Sequence, residues 1–223
     1  MIEKGQFSGQ ICKVINGQKL TFLMEKALWQ EDLSTLLIAD THFGKARHFR
    51  KGGIPIPENI HESDFALIAE LIRTKKARKV VFLGDLFHSD WNTHWGVLEM
   101  FMKEFSQVGF ELVKGNHDIL REEIYSQSQL TVHHHPIQIG SFLLSHEPVN
   151  AVGLTNICGH LHPGIRLSGK GKQSLRFPCF YESEDRVVLP AFGRFTGTME
   201  INNYGEGMAY AVVSKNLIPI NLS

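Results

Sequence analysis

Residues Phe82–Asp90 read FLGDLFHSD. An apolar run that begins at Lys79 ends in Gly84-Asp85, and His88 follows three residues after the carboxylate. A strand that runs into a glycine, an aspartate and a histidine makes either a polar turn or one wall of a metal site. The same event recurs along the chain. The run from Thr35 leads to Asp40 and His42, and that from Phe110 to Gly115, Asn116, His117 and Asp118. The run from Ser141 leads to His146, and that from Asn156 to Gly159, His160 and His162. Ligands of α/β sheets gather beyond the carboxyl ends of strands. One such end can be chance, but five in order are a site.

Two helical stripes lie between these runs. Phe65, Ile68, Leu71 and Ile72 keep helical spacing after Ser63, a candidate N-cap, and Trp95, Leu98, Phe101, Met102 and Phe105 form the second. Strands alternate with helices in the first half, whereas the second half is richer in strand, with Arg186–Ala191 and Met208–Ser214 as further candidates. The pattern predicts an α/β fold of two sheets packed face to face with helices outside, in one domain over residues 1–223. The stretch LSGKGKQS, Leu167–Ser174, reads as an exposed hairpin or insertion.

Composition bounds the function. With 223 residues, 43% hydrophobic and 21% charged, the chain can bury a sizeable core. Its formal net charge is zero, which excludes nucleic-acid binding through overall charge and leaves room for a local basic patch. Cys12, Cys158 and Cys179 form no CxxC pair and fit no disulfide framework, as expected of free thiols in a reducing compartment. The N-terminus has no apolar leader-like run and no stretch reaches membrane-spanning length, so a cytoplasmic location is expected.

Aspartate, asparagine and histidine together make a hard, mixed oxygen and nitrogen environment. It suits manganese, iron, zinc or cobalt better than calcium or magnesium, because imidazole prefers the former. No thiolate joins the set, which disfavours a structural zinc site. Two divalent ions held by two carboxylates keep residual positive charge and suit a phosphate oxyanion.

The ordered set D-x-H (Asp40, His42), G-D-x-x-H (Gly84 to His88), G-N-H-D (Gly115 to Asp118), His146 and G-H-x-H (Gly159 to His162) resembles the calcineurin-like metallophosphoesterase superfamily. The resemblance implies a four-layer α/β/β/α sandwich of two mixed sheets with a dinuclear metal site. Carried over by position, it implies one ion on Asp40, His42, Asp85 and His162, and another on Asp85, Asn116, His146 and His160, with Asp85 bridging. Manganese is the expected metal, with iron, zinc, cobalt or nickel as alternatives. His117 would serve as proton donor or phosphate stabiliser, oriented by Asp118, and Asn116 would also touch substrate. The implied reaction is attack of a metal-bound hydroxide on phosphorus.

Gly17–Pro57, GHLHPG (Gly159–Gly164), FPCF (Phe177–Phe180) and LPAFGRFTG (Leu189–Gly197) are similar to the bacterial ligase-associated DNA-damage-response endonucleases of that superfamily. That likeness implies a DNA phosphodiesterase, with an ATP-dependent DNA ligase, a helicase and an exonuclease as pathway partners. A phosphomonoesterase or small-nucleotide phosphodiesterase is the alternative, and a non-catalytic scaffold ranks last.

Other residues keep two readings. His88 is a phosphate contact or a surface histidine; the G-D-L-F-H form also resembles the double-strand-break repair nucleases of the superfamily, which favours a catalytic role. Lys45, Arg47 and Arg50 follow His42 and are either a solvated face or a hold on a nucleic-acid backbone. His133, His134 and His135 read as filler. Phe192, Arg194 and Phe195 are either nucleotide contacts or packing, and Trp91 is a possible substrate wall.

Overall fold

The first 30 described residues already depart from the sequence expectation by forming an antiparallel meander. The structure is a computed structural model, and the described residues are 9–45, 60–87, 94–169, 173–194, 196–201 and 204–222. Strands β1 (Gln10–Ile15), β2 (Gln18–Leu23), β3 (Leu28–Gln30) and β4 (Thr35–Ile38) pair antiparallel in chain order. From β4 the sheet turns parallel, through β5 (Lys79–Leu83), β6 (Gly109–Val113) and β7 (Leu130–His133). Parallel neighbours need crossovers, and α1 (Ile60–Lys75) and α2 (His94–Glu104) lie in the connections β4–β5 and β5–β6. A short α3 (Glu122–Ser126) precedes β7. Ser63 lies inside α1, so it is not the N-cap expected. The end of α1 follows helix chemistry: Lys76 takes a left-handed φ of 53° and Ala77 N–H donates to Ile72 O at 3.0 Å.

The second sheet holds β8 (Ile137–Ile139), β9 (Phe142–Leu144), β10 (Thr155–Cys158), β11 (Pro163–Ser168), β12 (Ser174–Glu182), β13 (Arg186–Val188), β14 (Met199–Glu200), β15 (Met208–Val213) and β16 (Asn216–Asn221). Both sheets are mixed, as expected, and β9, β10 and β13 run parallel. β11 pairs antiparallel with β12, as a hairpin requires, and residues 170–172 of the stretch Leu167–Ser174 fall outside the described residues.

Three apolar layers follow from strand alternation. Leu36, Ile38, Val80, Phe82, Phe110 and Leu112 face the helices, where Ile68, Ile72, Trp95, Leu98 and Met102 meet them. The alternate residues Leu37, Val81, Leu83 and Val113 face Phe142, Leu144, Ile157, Phe180 and Val187 of the second sheet. Cys158, Cys179, Val188, Ala209 and Ala211 form the outer face of that second sheet. Among the described residues no helix covers this face; Ile165, Ile201 and Tyr204 lie over it instead. Burial pushes the Cys158 and Cys179 thiols up to about 12, which keeps them protonated.

Phe22 joins the two sheets. It is fully buried, edge-on to Phe180 with ring centres 5.2 Å apart, and 4.7 Å from the Tyr210 ring. Phe22→Leu keeps most of the apolar volume and removes two ring pairs, so urea unfolding should show a loss of about 1–2 kcal/mol. A variant as stable as the parent would show that these ring pairs add nothing to packing.

Candidate metal centre

The carboxyl ends of β4, β5 and β6 in one sheet and of β9 and β10 in the other meet at one edge. Each delivers side chains named from the sequence: Asp40 and His42, Asp85, Asn116, His146, and His160 with His162. The chain reaches this edge in tight, left-handed turns. Asp40, His42, Asp85, His160 and His162 all have positive φ, from 45° to 66°. Such a conformation costs roughly 1 kcal/mol or more in a residue with a Cβ, and strain of this kind clusters where function over-determines the backbone.

Two groups of side chains lie close enough to hold ions: Asp40, His42 and His162, and Asp40, Asp85 and His146, with donor atoms within 4.8 Å of one another. His162 Nε2 is 3.3 Å from Asp40 Oδ1 and 3.5 Å from His42 Nε2. Asp85 Oδ2 lies 3.9 Å from His42 Nε2, and Asp85 Oδ1 lies 3.5 Å from His146 Nε2. His146 Nε2 also meets Asn116 Oδ1 at 3.1 Å and His160 Nδ1 at 3.0 Å. All seven residues named as ligands are therefore brought together.

The donor set fits cations. His146 Nδ1 sits 3.0 Å from Leu83 O, a carbonyl that can only accept. In the neutral ring the proton is then on Nδ1, which leaves a lone pair on Nε2. That lone pair points at the Asn116 oxygen, another acceptor. His160 Nδ1 lies 3.0 Å from the same nitrogen, and a cation seated among these three atoms would satisfy them together. Asp40 adds to this, since its buried Oδ1 makes no hydrogen bond although His162 Nε2 lies 3.3 Å away. A buried carboxylate oxygen left that way calls for a partner that is not a protein donor.

The other Asp40 oxygen accepts from His160 N–H at 2.9 Å, and Asp85 Oδ1 accepts from His117 N–H at 3.0 Å. Glycine is needed where these turns touch. A Cβ on Gly159 would sit 2.5 Å from Asp40 Oδ2, and one on Gly115 would sit 2.6 Å from Asp85 N.

Asp118 does something other than expected. Its carboxylate accepts from Leu86 N–H at 2.9 Å and Gly115 N–H at 2.8 Å. It ties the β5 turn to the β6 turn through both oxygens, a backbone role that the sequence did not announce. Burial is the main cause that pushes this carboxyl up to about 6, against the pull of those two amides. His117 stands at the rim, half exposed, with Nε2 3.9 Å from Asp85 Oδ2 and its ring edge-on to His42. Lys45 is close enough to Asp85 and Asp40 for both to raise its pKa, although burial outweighs them and lowers it. His88, Arg47, Arg50, Trp91 and Phe195 fall outside the described residues. His133 Nε2 lies 2.9 Å from Glu111 Oε2 and His134 Nε2 3.4 Å from Glu122 Oε2, so both rings are engaged with carboxylates away from the centre.

The sequence missed one wall of the site. Phe192 N–H donates to Ala39 O at 2.9 Å and Gly193 N–H to Asp40 O at 3.2 Å, so the segment after β13 lies against the Asp40 turn. Phe192 is buried in the helical core, which settles its reading as packing. Its signal was the motif LPAFGRFTG, whose Gly193 has no space for a Cβ beside Thr41.

A model of the calcineurin-like phosphoesterase family matches residues 33–185. A search of curated proteins returned no match. Among solved structures, the Pseudomonas putida nuclease MPE is similar with a TM-score of 0.81 and 27% identity, over 95% of this chain and 100% of that one. Yfce, a phosphoesterase from E. coli, is similar at a TM-score of 0.45 and 13% identity, over 85% of this chain and 99% of that one, too distant to carry an argument. No described helix is long and apolar enough to cross a membrane. The chain belongs to the calcineurin-like phosphoesterase family.

Proposed function

We propose that this chain is a metal-dependent phosphodiesterase that cleaves DNA. The observation that carries the reading is the likeness to a nuclease over 95% of this chain and 100% of that one, 27% identical at a TM-score of 0.81. The convergence of the metal-type side chains supports it. Asp40, His42, Asp85 and His162 would hold one divalent ion, and Asp85, Asn116, His146 and His160 the other. Such a pair supplies Lewis acidity at phosphorus and an activated water.

The chain's own residues do the rest. The Leu83 carbonyl holds His146 in the tautomer that leaves Nε2 free. Asp118 pins the two turns that carry Asp85 and Asn116. His117, exposed at the rim, is placed to give a proton to the leaving oxygen or to bind a phosphate oxygen. Lys45 adds positive charge beside the carboxylates, where a phosphate backbone would lie.

The test is a paired assay of protein loaded with Mn²⁺, on single-stranded and duplex DNA beside bis-p-nitrophenyl phosphate and p-nitrophenyl phosphate. DNA and the diester should be cleaved, and His117→Ala should cut kcat by about 10²–10⁴, the usual span for a positioned acid–base group. Hydrolysis of the monoester with DNA untouched would sink the nuclease reading and leave a small-substrate phosphatase.

A further inference from the structure

We propose that Lys26 is a positioning residue for Asp40, acting through the segment Ala191–Arg194. Lys26 sits on the turn between β2 and β3, 14 positions before Asp40 in sequence. Its ammonium donates to Ala191 O at 2.7 Å and also to Phe192 O. The amides of the same segment then run onward to the site, Phe192 N–H to Ala39 O and Gly193 N–H to Asp40 O. Lys26 therefore grips one face of a short strip of backbone whose other face holds the Asp40 turn.

Two more observations show a built device. Lys26 adopts a left-handed φ of 65°, a conformation glycine or asparagine takes more readily. At the far end of the strip Arg194 Nε lies 3.5 Å from Asp64 Oδ1 on α1, an ion pair without a hydrogen bond. Burial drives the Lys26 ammonium down to about 8 against the pull of Asp64, and burial raises the Asp64 carboxyl to about 6. These groups bear a desolvation penalty, which ordinary surface charges avoid. Gly193 leaves no slack in the strip, because an added Cβ would lie 3.1 Å from the Thr41 carbonyl carbon. The turn that the strip holds is the strained one, with Asp40 at φ 54° and His42 at φ 46°. Residues that orient a ligand from behind commonly set ion affinity as strongly as contacts nearer the ion.

The proposal rests on Asp40 being an ion ligand, so the test includes that residue. The metal-free full chain is titrated with Mn²⁺ by calorimetry, comparing parent, Lys26→Met, Asp40→Ala and Lys13→Met. Lys13→Met is the control, since it removes an ammonium that bonds Glu182 and Tyr210 instead. Lys26→Met should weaken one of two ions by about 10–100-fold, the usual effect of losing an orienting partner. Lys13→Met should leave both ions at parental affinity. Parental titration by Lys26→Met, or equal weakening by Lys26→Met and Lys13→Met, overturns the proposal. If Asp40→Ala loses an ion while Lys26→Met does not, the clamp alone is wrong. If Asp40→Ala keeps both ions, the reading of the centre falls with it. Should Lys26→Met fail to fold, Lys26→Gln, which keeps a donor without the charge, takes its place with the same outcomes.

Discussion

Asp85→Ala is expected to lower phosphoester hydrolysis by at least about 10³-fold, roughly 4 kcal/mol of transition-state stabilisation, while the metal-free protein stays folded. Asp85 is buried, and its two oxygens reach toward His42 on one side and His146 on the other. The effect on the fold should run the opposite way. Asp40 and Asp85 are both almost wholly buried in one small space. Without cations, two desolvated carboxylates repel, and deleting one relieves that repulsion at the loss of the His117 N–H bond. The metal-free variant should therefore melt at or above the parent.

Added ions should reverse the order. A ligand at 100 times its dissociation constant stabilises the folded state by about 2.7 kcal/mol, and the variant forfeits that gain. Thermal melts with and without Mn²⁺, read beside the diester assay, check both halves. A variant that keeps the ion-dependent rise in Tm and its activity would remove Asp85 from the centre.

How far the sequence reached can be judged from particular residues. The strand ends were legible because an apolar run stopping at Gly-Asp or Gly-His is a local pattern that needs no knowledge of the fold. The two helical stripes were legible for the same reason, and Ile68, Ile72, Trp95, Leu98 and Met102 all face the first core. The β1–β3 meander was not: β1 alternates exposed and half-buried residues without a buried face, and β2 shows intermediate, exposed and then four buried residues. The role of Asp118 was hidden because two backbone amides, which no side-chain pattern records, claim its carboxylate. Lys26 was hidden for a related reason: its acceptors are the carbonyls of Ala191 and Phe192, 165 and 166 residues away. Short-range chemistry was readable, and contacts made by backbone across the fold were not.

Gly84→Ala should be far more damaging than Gly153→Ala, and the contrast isolates the clash from the strain. Both glycines have φ of +76°, so an alanine at either bears a similar backbone penalty, about 1 kcal/mol. Around Gly153 nothing lies within 4 Å of an added Cβ. At Gly84 the added carbon would lie 2.8 Å from His146 Cβ and closer still to Cγ and Nδ1 of the ring. Neither neighbour is free to yield. Gly84 O accepts from Asp40 N–H at 3.2 Å, and His146 is buried against Leu83 O. Room can be made only by moving the imidazole, which breaks the bond from Nδ1 to the Leu83 carbonyl and releases the tautomer that the centre needs. Gly153→Ala should lose about 1 kcal/mol in urea unfolding and keep its kcat/KM. Gly84→Ala should lose about 3 kcal/mol or more and at least 10²-fold in kcat/KM, since a displacement of about 1 Å in a reacting group is enough for that. If the two variants matched in both measurements, His146 would not be held by this glycine, and the close approach of β5 to the His146 turn would have no part in building the site.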